Sequence, residues 1–361
     1  MLRKPSNSMK RDSKRGKVTL ISRESNNKTL DFRLLEEELM RRGIEVEVLT
    51  RLLEKKLSLK SAAYLGHMVR QMKAISDSSV VVLDTYCIPV SMFGHNRDTT
   101  VIQMWHALSA IKKFGWQTVG KADGSSEKVA RIMRMHEGYD KVLCASDVTA
   151  RSFCEAFRVS EDKIVKLGLP RIDYILKEDP AIEHRIKNQY MDLGNKEVIL
   201  YAPTFHKGRP ADVRGLAEAL DLEKYALLVR LHPLDSTSPE DHVKIPGVVY
   251  EPYYDTYDLL RVADYVISDY SSFVVEASLT GKPLYLYTYD IDEYRNTTGL
   301  NVNFAEEAIG KYLFKDAAAL AAELENEPYD YDALAEFSHK YVDIDTHNCT
   351  ERLADYIETL I

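Results

Sequence analysis

The side chains best suited to chemistry recur where apolar runs end. Gln103-Met-Trp105-His106 closes the run Thr100–Met104, and Lys112 and Lys113 follow within two helical turns. An imidazole in that place suits proton removal near neutral pH, and the lysines and Trp105 suit an acceptor or its phosphate. The competing reading is a histidine satisfied in the core beside two solvated lysines. Arg230-Leu-His232-Pro233 closes another run. Alternation would set Arg230 and His232 on one face, where a guanidinium fork and a ring nitrogen both meet phosphate oxygens. A surface charge pair is the alternative.

Ser268-Asp269-Tyr270-Ser271-Ser272 leads from a strand into a helix that carries Glu276. Asp269 or Ser271 is expected at the cap, leaving first-turn N–H groups for an anion, against an ordinary cap without a ligand. Pro203 and Thr204, in Tyr201-Ala-Pro-Thr-Phe-His206, make an abrupt strand exit with a hydroxyl. Tyr289, Asp290 and Asp292 crowd a further strand end, suited to base, ribose or polyol contacts or to a solvated loop. No Gly-rich dinucleotide fingerprint, phosphate-cradling GxxxxGK[ST] loop or GxSxG elbow occurs, which disfavours hydride transfer and ATP hydrolysis through those folds. No resident cofactor and no metal are expected, although Asp269, Asp290 and Asp292 keep a metal open.

The elements that must position these groups alternate. Val18–Ser22, Ile44–Leu49, Val80–Leu83, Thr100–Met104 and Lys141–Cys144 read as strands; helices fall at 28–42, 58–75 and after Asp147 as cap, to about Ala156. The alternation restarts after residue 180. Strands are read at Val198–Tyr201, Ala226–Arg230, Val248–Tyr250, Tyr265–Ser268 and Leu284–Tyr287, and helices at 212–220, 257–261 and 271–279. This predicts an α/β chain of two facing, doubly wound, Rossmann-like domains, 1–178 and 179–361, with the last helix packing back on the first. The gap between them is the expected site.

With 361 residues, 45% apolar and 29% charged, the chain can hold two cores, and a net charge of −8 argues against a general nucleic-acid binder. Residues 1–16 form a basic arm, either a solvated tail or a contact to an anionic membrane, for which Arg51, Lys55, Lys56 and Lys60 are further candidates. Cys87, Cys144, Cys154 and Cys349 are scattered, as buried thiols in a reducing compartment are. No apolar run of transmembrane length and no signal-like leader is read, so a cytoplasmic protein, peripheral on the membrane's inner face, is expected.

Taken in order, these motifs resemble the CDP-glycerol glycerophosphotransferase family of teichoic-acid synthesis. Gln103-Met-Trp-His106 is similar to its QxWHG segment, and Gly168-Leu-Pro-Arg171-Ile-Asp173 to its GxPRxD turn. Tyr201–Thr204, Arg230–Pro233, Ser268–Ser272 and Tyr287–Tyr294 are similar to its later motifs. The resemblance implies a GT-B-like fold and a CDP-glycerol or CDP-ribitol donor held mainly by the C-terminal domain. It implies His106 as base, with His232, Ser271 and Ser272 on the pyrophosphate. The acceptor would be a teichoic-acid-like polymer, a lipid-linked primer or a capsular saccharide. Ala107-Leu108 stand where the family usually carries Gly-Thr, which narrows the acceptor side. A sugar transferase using a UDP- or GDP-donor, and a non-catalytic envelope protein, are the rival readings.

Overall fold

Short apolar runs flanked by helices build two separate parallel sheets whose central strands are buried on both faces. The computed structural model describes residues 16–53, 59–121, 124–190, 193, 195–205, 210–232, 245–292, 294, 299–326 and 328–361. The basic arm, Lys55, Lys56, His206 and Pro233 lie outside them.

The first unit comprises Met1–Leu108, Phe114–Asp173 and Val342–Ile361. Its elements are β1 (Lys17–Ser22), α1 (Leu30–Arg41), β2 (Glu45–Thr50), α2 (Leu59–Asp77), β3 (Val80–Leu83), α3 (Ile88–Phe93), β4 (Thr100–Gln103), α4 (Glu127–Ile132), β5 (Lys141–Cys144), α5 (Asp147–Phe157) and β6 (Ile164–Lys166). The strand order is β2-β1-β3-β4-β5-β6, so the winding reverses between β1 and β3. Thr29 caps α1 through its side chain, and Ser146, not Asp147, caps α5 by accepting from the Thr149 N–H. The chain turns from β5 into α5 one residue earlier than the charge pattern suggested.

The second unit comprises Ser109–Lys113 and Tyr174–Tyr341. α6 (Arg171–Leu176) leads into it. It holds α7 (Pro180–Gln189), β7 (Glu197–Tyr201), α8 (Val213–Ala219), β8 (Tyr225–Val229), β9 (Val248–Tyr250), α9 (Thr256–Val262), β10 (Tyr265–Ser268), α10 (Phe273–Ser278), β11 (Leu284–Tyr287), β12 (Leu313–Phe314), α11 (Ala317–Leu324) and α12 (Tyr331–Tyr341). The order β12-β11-β10-β7-β8-β9 reverses between β7 and β10.

Helix α13 (Cys349–Glu358) returns to the first unit. Asn348 gives it no side-chain cap. Asp173 does so from far away in sequence: its carboxylate accepts from the N–H groups of Cys349 (2.8 Å) and Thr350 (2.7 Å) and from the Thr350 hydroxyl (2.6 Å). Gly168 makes this seat possible, because a Cβ there would stand 2.6 Å from the Cys349 sulfur. Two residues before Asp173, Arg171 forks onto Asp31 with its Nε at 2.9 Å, so the GxPRxD-like turn is a fastening. All four cysteines are free thiols, three of them buried.

Candidate active site

In the first unit the strands around the winding reversal end in Ser22, Leu83 and Gln103, and the next residues carry the polar groups. Such a switch point is where open α/β sheets take ligands. Trp105 adopts φ 59°, a left-handed conformation unfavourable for a bulky residue. Two things hold it. The buried Gln103 amide accepts from the Trp105 N–H (2.8 Å) and donates to the Thr85 carbonyl (3.0 Å). The indole stacks on Phe114 (ring centres 4.6 Å apart) and meets Phe157 edge-on (5.2 Å).

This turn presents His106 to solvent while Ala107 and Leu108 are buried. His106 Nδ1 lies 3.1 Å from the Asp84 carbonyl oxygen. A carbonyl only accepts, so Nδ1 carries the proton and the neutral ring leaves Nε2 as the basic atom. Despite the exposed edge, surrounding protein lowers the imidazole pKa, and the charges of Arg171 and Arg23 lower it further against Glu24. His106 is therefore held unprotonated to lower pH than a free imidazole. Asp84, buried beside it, has its carboxyl pushed up to about 7 by burial, with Asp31 and Glu24 adding to the rise. Asp84 escaped sequence analysis, although its place directly after the apolar run Val80–Leu83 is the signal.

In the second unit the reversal lies between β7 and β10. The Asp269 carboxylate is buried and accepts from the Thr204 N–H (2.7 Å), and the Ser268 hydroxyl donates to the Ala202 carbonyl (2.7 Å). Asp269 thus ties two strand exits together and does not cap α10. Ser271 is the residue whose Oγ accepts from the Phe273 N–H (3.3 Å), while Ser272 occupies the cap position without a side-chain bond. Both serines are half-buried; Pro203 is buried beside Thr204.

Lys112 belongs to this second site, although only five residues separate it from His106 in sequence. Asn301 holds its segment through the carbonyls of Ala110 (3.0 Å) and Lys112 (3.2 Å), and the Lys113 N–H donates to the Gly299 carbonyl (3.0 Å). The Lys112 ammonium donates to Thr204 Oγ1 (3.0 Å) and lies over the stacked rings of Tyr270 and Tyr294. Burial lowers its pKa and the Asp269 charge opposes that.

The other candidates divide. Arg230 directs a guanidinium N–H to the Glu251 carbonyl (2.9 Å), and His232 is exposed with its ring 6.0 Å from that of Phe205. β8 ends at Val229, before either residue, so strand alternation does not set this pair on one face. Glu276, placed with the donor-side residues by its motif, is 3% exposed and accepts from the Tyr257 hydroxyl (2.8 Å), which braces α10. Asp290 accepts from the Tyr270 hydroxyl (2.6 Å) and so steadies the ring beneath Lys112. Asp292 pairs with Lys315 at the surface. The half-buried Tyr289 donates to the Pro210 carbonyl at 3.4 Å.

Two doubly wound units, each gathering polar side chains at its switch point, define a Rossmann-type α/β protein. The model of the CDP-glycerol:poly(glycerophosphate) glycerophosphotransferase family matches residues 4–359, and the chain belongs to that family, whose members form phosphodiester bonds. The teichoic acid ribitol-phosphate primase of Bacillus spizizenii is 29% identical over 359 residues, 96% of this chain and 91% of the relative. The teichoic acid glycerol-phosphate primase of Bacillus subtilis is 28% identical over 306 residues, 82% and 77% of the two chains. The solved wall teichoic acid polymerase TagF matches with a TM-score of 0.73 at 20% identity, covering 97% of this chain and 90% of that one, a likeness of fold.

Proposed function

We propose that this chain transfers glycerol phosphate from CDP-glycerol to a hydroxyl acceptor, a teichoic-acid-like polymer, lipid-linked primer or capsular saccharide. The observation that carries this reading, beside family membership, is the second switch point. There Thr204, Ser271, Ser272 and the Lys112 ammonium gather where a Rossmann-type sheet takes a diphosphate. The acceptor oxygen attacks the β-phosphorus, the bond to the CMP oxygen breaks, and CMP departs with the electron pair. The acceptor proton passes to His106 Nε2, the ring atom left basic by the Asp84 contact. Lys112, Arg230 and His232 meet the charge on the phosphoryl oxygens and on CMP, without a resident cofactor or metal.

CDP-ribitol is the second donor reading, favoured by the ribitol-phosphate primase, which is similar over 96% of this chain. Incubating the enzyme with each CDP-polyol and a saccharide-lipid acceptor, then weighing the products, separates the two. Absence of CMP release with either donor would sink the reading.

Work at an anionic membrane surface also belongs to it. No helix among the described residues is long and apolar enough to cross a membrane. α2 instead exposes Leu65 (63%), Val69 (67%) and Met72 (40%) at helical spacing, a stripe suited to lying in an interface. Sedimentation with anionic vesicles tests it, and Leu65→Glu with Val69→Glu should abolish the co-pelleting.

A further inference from the structure

Arg23 follows β1 directly, at the reversal in the first sheet, where β1 and β3 pair in parallel from Val18↔Val80 to Ile21↔Leu83. Its backbone N–H donates to Thr85 Oγ1 (3.3 Å), which ties this loop to the end of β3. Its guanidinium lies 4.9 Å from the centre of the Tyr86 ring. That ring is fixed in turn by its hydroxyl, which donates to the Met133 carbonyl (2.6 Å), and by an edge contact with His136.

The two arginines near His106 differ in one respect. Arg171 is neutralised by its fork onto Asp31, whereas among the described residues no carboxylate pairs with the half-buried Arg23. A guanidinium held on an aromatic face with its donors uncommitted is poised for an external anion, and its planar fork matches phosphate. Its charge reaches the histidine ring, since it helps to lower the pKa values of His106 and His136.

The geometry points to Arg23 as the residue that grips a phosphate ester on the acceptor, close to the hydroxyl that is attacked. This rests on the transferase reading only for the word acceptor: the prediction itself is of an anion subsite beside His106, selecting a polyol-phosphate end over a neutral polyol end.

The test uses the full chain and two synthetic saccharides, one ending in glycerol phosphate and its twin ending in glycerol. Calorimetry without donor should give about tenfold tighter binding of the phosphate twin by the wild type. Arg23→Gln should remove that preference, Arg23→Lys should keep part of it, and both should melt as the wild type does. In Arg23→Gln the His106 pKa, followed by NMR, should rise. A wild type without preference, or an Arg23→Gln protein that keeps it or loses both ligands equally, would overturn the proposal. Missing CMP release from CDP-polyols would instead strike the donor reading and leave the binding comparison intact.

Discussion

The ring nitrogen Nδ1 of His106 and the backbone carbonyl of Asp84 form a 3.1 Å hydrogen bond that dictates which side of the imidazole is basic. His106→Ala should therefore lower turnover by roughly 10²–10⁴-fold while CDP-polyol affinity stays close to wild type. Stopped assays of CMP release with donor titration measure both. Because the His106 pKa is lowered, the acidic limb of kcat/KM should fall below the ordinary imidazole range near 6.5. A variant that turns over like the wild type would remove His106 from the reaction.

The contact of Lys112 with Thr204 predicts a different split. Lys112→Met should raise KM for the CDP-polyol about tenfold or more and leave the KM for acceptor unchanged. His232→Ala should likewise act on the donor, in KM or kcat. An effect of Lys112→Met confined to the acceptor would put this lysine on the wrong substrate.

Asp84 predicts how stability follows pH. Its folded-state pKa of about 7 stands above the ordinary 3.8, so the fold favours the protonated carboxyl. That contribution is complete below pH 3.8 and fades as pH rises through 7. Between pH 5 and 8 the wild type should lose roughly 3 kcal/mol from this group alone. Asp84→Asn should flatten the slope, because the His106 contact uses the backbone and survives. Parallel thermal midpoints for both proteins across that range would refute it.

The three bonds from Asp173 to the start of α13 predict a structural cost without a chemical one. Asp173→Ala should destabilise the first unit by about 1–2 kcal/mol, read by denaturant titration. Michaelis constants measured well below the melting temperature should be unaffected.

Much of the sheet framework was legible because a buried parallel strand leaves an unbroken apolar run: Val80–Leu83 is β3 residue for residue. β6 (Ile164–Lys166) and β12 (Leu313–Phe314) are too short to leave such a run. Capping was read by residue type, and a neighbouring hydroxyl took the position at Ser146. Polar clusters at strand ends were visible, but not their duties. Glu276 and Asp269 look alike in sequence to ligand-binding carboxylates, and nothing in the sequence shows the internal bonds each also makes, to Tyr257 and to Thr204. Lys112 could not be separated from His106 by spacing, since the switch from one unit to the other falls within the segment between them.

The fastening of α13 by Asp173 also sets an order of birth. The carboxylate leaves the ribosome 177 residues before Thr350, a delay of about 10–35 s at ordinary rates of synthesis. Throughout that interval the later-made sheet can mature, while the earlier one waits with an open flank for its last helix. A chain truncated near residue 341 would thus carry a finished second half and an uncovered first half, the form a chaperone would meet.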